Sequence, residues 1–335
     1  MTRLVRPKPL AVAVAAALAV VLAAPALAGN GGFAPVPPQS PNAEGITQSY
    51  WFITAFILAI FALVEGLLIT FVVRYRRHRR DRDADGAQIH GSSRLELMWT
   101  VGPVLVLFAI AVFVFVKLPG ISDVPGATAA GGPLEIEVVG QQFAWQYTYP
   151  NGVVAIDRLR APAGKPVELL VTAPDWDVIH SWWIPALGGK IDAIPGRATS
   201  TWFEAAHPGT YRGRCAELCV TFHAKMLAAV EVMSDGDFDA WLEAEQRAQH
   251  GPSVELGRQE WKGYCAKCHG LDGQGGYGPQ LAPSRLTDCE AIERIAREGR
   301  TLPGRKVMPP VGHDWTQEQM DSLNAYLEER FGEKS

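Results

Sequence analysis

The 335 residues suffice for two or three domains, and 48% hydrophobic against 20% charged residues is apolar for a wholly soluble chain, so membrane segments are sought first. A formal net charge of −4, with no extended basic surface signature, excludes a nucleic-acid partner.

At the start, Arg3, Arg6 and Lys8 precede an apolar run from Leu10 to Leu22 and then Ala26-Leu27-Ala28 before Gly29. A basic n-region, a short apolar h-region and an A-x-A site predict a secretory signal peptide over residues 1–28, with an uncleaved anchor as the alternative. Residues 29–48, rich in Gly, Pro, Asn and Ser, predict an exposed N-terminal arm. The runs Tyr50–Val73 and Leu97–Leu118 each exceed the roughly 20 apolar residues an α-helix needs to cross a bilayer. Residues 49–118 therefore predict a transmembrane hairpin, with helices over about 50–73 and 97–118. Between the spans lies an Arg-rich stretch from Arg74 to Arg82, which is retained in the cytoplasm. The arm and everything after Leu118 are then extracytoplasmic, where cysteines meet oxidising conditions.

Two carboxylates stand out in the hairpin. Glu65 lies mid-span, where an ionisable group faces protein or water, and packing against a partner membrane subunit accounts for it. Glu96 opens the second span; it serves either as a helix N-terminal carboxylate favoured by the macrodipole or in proton uptake.

Residues 119–132, rich in Pro, Gly and Ala, read as a linker. Strand patterns follow at Leu134–Val139, Phe143–Tyr149, Pro166–Val171, Ser200–Glu204 and Met226–Val232, separated by Gly, Pro and Asp clusters. Many short strands with no long helix among them predict an all-β sandwich or barrel over residues 133–233. Inside it, Cys215, Cys219, His223 and Met226 place two thiols, an imidazole and a thioether within twelve residues. Such soft or borderline ligands suit copper, yet a mononuclear blue-copper site uses one Cys and two His. The second Cys is surplus unless both thiolates bridge a metal pair. His180 is the upstream candidate for the second imidazole, on a loop facing the cysteine segment. A Cys215–Cys219 disulfide and a Cys/His zinc site are the alternatives.

Residues 234–251 predict a helix, from about Asp235 to Gln249, and a short linker ending at a Gly-Pro break. Next comes Cys265-Ala-Lys-Cys268-His269, the C-x-x-C-H of covalent haem attachment, whose adjacent imidazole becomes an axial iron ligand. Alone the C-x-x-C is ambiguous among zinc, redox and haem roles; the following His, the extracytoplasmic address, a Gly-rich loop from Gly270 to Gly278 and Met308 narrow it. Met308, 39 residues after His269, is the expected sixth ligand, while Met320 falls in the periodic segment Thr316–Arg330 and is expected in the core. Helices are expected at Val254–Lys262, Asp288–Arg297 and Thr316–Arg330. Cys289 fits neither metal set and is expected to be small and buried. His78, His90, His207, His250 and His313 show no ligand spacing.

The hairpin and sandwich, carrying Val178-Ile-His-Ser-Trp182, Asp192-Ala-Ile-Pro-Gly-Arg197 and the cysteine segment in that order, resemble subunit II of the haem-copper cytochrome c oxidases over roughly residues 45–233. The resemblance implies a cupredoxin domain holding the binuclear CuA centre. It implies that Cys215 and Cys219 bridge the coppers, that His180 and His223 each bind one, and that Met226 binds through sulfur and Glu217 through its carbonyl. The Glu217 side chain would reach a magnesium ion bordering subunit I, and Glu96 would lie near the mouth of a proton channel of that subunit. Residues 252–333 resemble an all-α class I cytochrome c domain, with haem c on Cys265 and Cys268 and with His269 and Met308 as axial ligands. Where the family carries a Trp through which soluble cytochrome c delivers its electron, this chain has Phe143, and Trp145 two residues on reads equally as core. The implied whole is a multidomain membrane protein, subunit II of a proton-pumping caa-type oxidase. Its implied partners are subunits I and III, membrane lipid, and an upstream donor such as a cytochrome bc complex or a soluble cytochrome c, while the fused cytochrome, as a tethered donor, would approach the copper domain by a face other than Phe143. The alternatives are a free-standing membrane-anchored copper and haem electron carrier, and a quinol oxidase subunit, which lacks copper ligands.

Overall fold

The computed structural model describes residues 34–75, 88, 90–126, 132–302 and 305–332, without side chains at 284, 302 and 305–307. The expected signal peptide, the arm up to residue 33, most of the Arg-rich stretch and His78 lie outside the described residues. By its internal contacts the chain divides into residues 44–123 and the remainder.

Residues 44–123 are built on two helices, α1 (Pro41–Arg74) and α2 (Ser93–Ser122), both long and apolar enough to cross a membrane. The side chains along most of both helices are exposed in the isolated chain, the surface that hydrocarbon or a membrane partner covers. Where the helices meet, Phe52 stacks on Phe113 at 4.0 Å and Lys117 Nζ donates to Gln48 Oε1 at 2.7 Å. Glu65 and Glu96 are both exposed.

In the remainder, the expected exposed arm is corrected at its end. Residues 41–48 are helical, and Asn42, 2% exposed, donates its amide to the Trp202 carbonyl. A buried amide needs such a partner, and the sandwich supplies it.

Ten strands follow: β1 (Leu134–Gln141), β2 (Ala144–Thr148), β3 (Val154–Ile156), β4 (Arg158–Pro162), β5 (Val167–Thr172), β6 (His180–Trp183), β7 (Ile191–Ala193), β8 (Thr199–Phe203), β9 (Gly209–Cys215) and β10 (Leu227–Met233). They form two five-stranded sheets, ordered β3-β2-β1-β5-β8 and β4-β10-β9-β6-β7. β1 runs parallel to β5, and β10 parallel to β4. Alternate residues of facing strands, among them Ile136, Val138, Leu169, Val171 and Val230, are fully buried between the sheets. This is a cupredoxin-like sandwich. The sequence pattern missed β3, β4, β6, β7 and β9 because they are short or, as in β9 with Arg212 and Arg214, polar on one face.

Helix α3 (Asp235–Ala248), capped by Ser234, packs Phe238 and Trp241 on the sandwich at Tyr149. The C-terminal region contains α4 (Val254–Glu260), a π-helical stretch over Trp261–Cys265, α5 (Ala266–His269), α6 (Pro283–Leu286), α7 (Cys289–Glu298) and α8 (Gln317–Phe331). Thr316 and Gln319 close a reciprocal capping box on α8. The two strands β11 (Arg300–Leu302) and β12 (Arg305–Met308) form a hairpin, so the region is helical but not purely α. Close approach of α4 to α8 requires Gly257: a Cβ there would meet the Ser322 carbonyl oxygen at 1.9 Å.

Candidate metal centre and haem pocket

Four segments of the sandwich converge at one end. β6 begins with His180, correcting the expectation of a loop, because its pairing with β7 and β9 draws His180 into the sheet. β9 ends with Cys215, and the loop through Cys219 returns to β10 by a 3₁₀ turn over His223–Lys225. Backbone bonds pin the loop: Cys215 N donates to the Met226 carbonyl at 2.9 Å and Ala216 N to the Ser181 carbonyl at 2.8 Å. Val220 sits at φ +80°, a left-handed conformation that costs a β-branched residue about 1–3 kcal/mol, so the loop is held against local strain.

Ligand atoms of His180, Cys215 and Cys219 lie within 4.8 Å of one another, all three residues buried. Cys215 Sγ is 3.7 Å from Cys219 Sγ, which in turn lies 3.7 Å from His223 Nδ1 and 3.8 Å from Met226 Sδ. The Glu217 carbonyl oxygen stands 3.2 Å from Cys215 Sγ. The Glu217 side chain points elsewhere, 3.7 Å from Lys190 Nζ. Two thiols at 3.7 Å are not bonded to each other, and all five cysteines are free.

His180 shows how the set is prepared for a metal. Its Nε2 lies 3.3 Å from Asp177 Oδ2, with both side chains fully buried, while its Nδ1 is buried without a hydrogen-bond partner. An imidazole held at one nitrogen by a carboxylate and bare at the other is the arrangement of a metal ligand with its supporting shell. Burial would lower the His180 pKa, but the hydrogen bond to Asp177 and the charges of Asp177 and Cys215 prevail and raise it. The hydrogen bond with Cys219 pulls the Cys215 thiol down to about 3, whereas the same bond raises Cys219. Asp177 escaped the sequence reading, although a carboxylate three residues before a candidate ligand was its signal.

The second site is an apolar cavity of about 320 Å³ in the C-terminal region, lined by Cys265, Cys268, His269 and Met308 among others. Leu286, Ile292 and Ile295 supply apolar lining. His269 Nδ1 lies 2.8 Å from the Pro279 carbonyl, which fixes the tautomer and leaves Nε2 for a ligand role. Gly278 is required beside it, since a Cβ there would lie 2.9 Å from His269 Nδ1. Two thiols, an imidazole and a thioether around an apolar cavity are the donor set that would tether and hold a haem, which would supply one-electron chemistry there. Met320, fully buried, belongs to the core between α8 and its neighbours.

Cys289, expected to be buried, is exposed. It opens α7 at a helix start that Asp288 caps through the Ala291 amide, and a capped helix end lies at the surface. His90, His207, His250 and His313 are also exposed.

The C-terminal region rests directly on the metal end of the sandwich. Tyr277, which lines the cavity, meets Phe222 of the metal loop edge to face at 4.7 Å, and Phe222 meets Phe143 at 5.3 Å. Phe143 is only 8% exposed, its carbonyl accepting from Lys267 Nζ at 2.8 Å. The expectation that a tethered donor would use a face other than Phe143 is therefore corrected: the chain's own C-terminal region covers this one.

With that geometry established, similarity to known proteins is informative. The family profile described as cytochrome c oxidase subunit II, transmembrane domain, matches residues 32–116, and the corresponding periplasmic-domain profile matches residues 152–233. The profile for subunit III of cbb3-type cytochrome c oxidase matches residues 252–327. Cytochrome c oxidase subunit 2 of Alkalihalophilus pseudofirmus is 33% identical over 307 residues, spanning 87% of this chain and 88% of that one. The chain belongs to the cytochrome c oxidase subunit II family. Subunit 2 of Synechocystis is 31% identical over 261 residues, covering 65% of this chain and 77% of its own. Among solved structures, the periplasmic domain of subunit II of cytochrome oxidase from Bradyrhizobium japonicum is 36% identical, covering 34% of this chain and 94% of that domain, with a TM-score of 0.33. This subunit II chain thus carries a cytochrome c domain behind its copper-domain sandwich, as a membrane-anchored component of an oxidoreductase complex. Its copper-domain sandwich is extracytoplasmic.

Proposed function

We propose that this chain is the electron-entry subunit of a proton-pumping oxidase, receiving electrons in its cytochrome c domain and passing them through its copper domain to subunit I, where oxygen is reduced to water. Haem c and a binuclear copper centre, when bound, supply two one-electron carriers. Cys265 and Cys268 would tether the haem, with His269 and Met308 as its axial ligands. Cys215, Cys219, His180, His223, Met226 and the Glu217 carbonyl would hold the copper pair. The fully buried His180, Cys219 and Met226 exclude water from that set and hold it rigid, so little has to move when charge arrives.

The observation that carries the reading is the Tyr277–Phe222 contact at 4.7 Å, where the wall of the haem cavity touches the metal loop itself. Fusion within one chain makes the donor intramolecular at high effective concentration. Beyond this, we assign the Glu217 carboxylate to a magnesium ion at the border with subunit I, and Glu96 to proton uptake. Subunit III, surrounding lipid and an upstream cytochrome bc complex or soluble cytochrome c complete the partners.

The test is purification of the intact complex and rapid mixing with a reductant. Haem absorbance should change first and copper absorbance should follow. Cys219→Ser should abolish the binuclear copper spectrum and leave that of the haem. Copper reduction that neither follows the haem nor depends on Cys219 overturns the proposal, as does recovery of a lone polypeptide without a haem-bearing membrane partner.

A further inference from the structure

The face of the copper domain around Phe143 is occupied by the chain itself, and the manner of its occupation is specific. Lys267 is one of the two residues between the haem-attaching cysteines, a position with no part in holding the haem. Its Nζ reaches across the domain boundary to Asp157 Oδ2 at 2.6 Å and to the Phe143 carbonyl at 2.8 Å. Asp157 is prepared to receive it: its Oδ1 accepts from Trp145 N at 3.1 Å, and its backbone adopts φ +61°, a left-handed conformation that Asp tolerates. The Lys267 side chain is 16% exposed and that of Asp157 30%, so water weakens the pair only in part.

Among the described residues, the other polar ties across the boundary are uncharged or lie at its rim. Gln141 Nε2 donates to the Val311 carbonyl at 2.9 Å, Gln319 Nε2 to Gln146 Oε1 at 3.3 Å, and Trp176 Nε1 to Asp314 Oδ2 at 2.9 Å. Apolar packing is close but generic. Ala144 of β2 is fully buried within the apolar cluster of the cytochrome domain, and Gly263 lies so near β3 that a Cβ would meet Ile156 Cγ2 at 2.2 Å. Apolar surfaces of this kind can slide, whereas a cation held by one carboxylate and one carbonyl selects a single register.

We propose that Lys267 and Asp157 form an interdomain lock, positioning residues that clamp the haem-attachment segment over Phe143 and Phe222 and so close that face of the copper domain to any diffusible donor. The inference rests on the relay proposed above and specifies how its two domains are held. The lock sets one docked geometry, with Tyr277 against Phe222, and an external donor must then deliver to the cytochrome domain.

The test uses the full chain in its purified complex. A reporter, Ala144→Cys, lies fully buried in the apolar cluster of the cytochrome domain, and its modification by a maleimide, located by peptide mapping, reads how often the domains separate. Asp157→Asn keeps the left-handed turn and the bond from Trp145 N while removing the charge, and Lys267→Met removes the cation. Each should accelerate reporter labelling by roughly tenfold, the size expected for losing a charge-assisted hydrogen bond, while Lys267→Arg stays near the unsubstituted rate. In the Asp157→Asn/Lys267→Met double variant, haem-to-copper transfer should also slow with both absorption spectra unchanged. Unchanged labelling in both single variants overturns the lock. Accelerated labelling in a protein whose haem never reduces its copper leaves the lock standing and overturns the relay.

Discussion

Asp177→Asn isolates what the supporting shell of the copper ligands contributes, because it changes charge and donor pattern but hardly changes volume. Asp177 Oδ1 accepts from Val178 N at 2.7 Å, and Oδ2 accepts from Gln142 N at 2.8 Å and faces His180 Nε2 at 3.3 Å. An asparagine offers one acceptor atom for these three. Its amide NH₂, placed where Oδ2 stood, confronts the Gln142 N–H and the His180 Nε2–H, leaving two donors unmet at about 1–3 kcal/mol each. The alternative flip sacrifices the Val178 bond instead. In the first orientation His180 loses the partner that keeps Nδ1 bare; in the second a neutral amide oxygen replaces the carboxylate as its acceptor, a weaker hold on the ring. Loss of such a supporting contact lowers metal affinity about 10–100-fold, or about 1.4–2.8 kcal/mol. The assay is copper content per chain at equilibrium with a graded chelator, with haem absorbance as the internal control for folding. Copper retention in Asp177→Asn within about twofold of the unsubstituted protein refutes the reasoning, because a supporting carboxylate cannot be that dispensable.

Two further outcomes are expected. Met308→Leu should lower the haem potential and admit carbon monoxide at the sixth position, since a thioether ligand both raises the potential and blocks that site; the same behaviour in Met320→Leu, with Met308→Leu unaffected, reverses the assignment. Glu260 is fully buried with neither carboxylate oxygen hydrogen-bonded, and burial raises its pKa well above the usual glutamate range. Below about pH 4 the group is neutral folded and unfolded; as pH rises past that point only the unfolded chain ionises, and native stability falls until the raised native pKa is reached. Glu260→Gln should therefore leave thermal stability nearly unchanged at about pH 4 and increase it progressively toward about pH 8, and a stability difference independent of pH contradicts the argument.

Sequence alone determined those features whose signal is local. Two apolar runs long enough for a bilayer are recognisable because span length follows from the rise of a helix, and C-x-x-C-H because both thioethers and the imidazole must stand on one turn. The set of Cys215, Cys219, His223 and Met226 is legible for the same reason, being confined to one loop. Strands with clean alternation, such as Leu134–Val139, were visible, whereas β6 was not: four residues beginning with His180 carry no period, and only pairing with β7 and β9 makes them a strand. Cys289 was misjudged for a related reason, since composition favours burial of a thiol but the position of a capped helix start decides it.

What only the tertiary structure decided lies across long sequence separations. Asp177 stands only three residues from His180, but the Gln142 amide that shares its carboxylate comes from 35 residues away. Lys267 against Asp157 joins residues 110 apart, and neither carries a local pattern that points to the other. The covering of Phe143 likewise depends on where a second domain comes to rest. Ligand chemistry is written in short spacings because a metal or a haem is small. The placement of two domains comes from surface complementarity, which no short stretch of either surface contains.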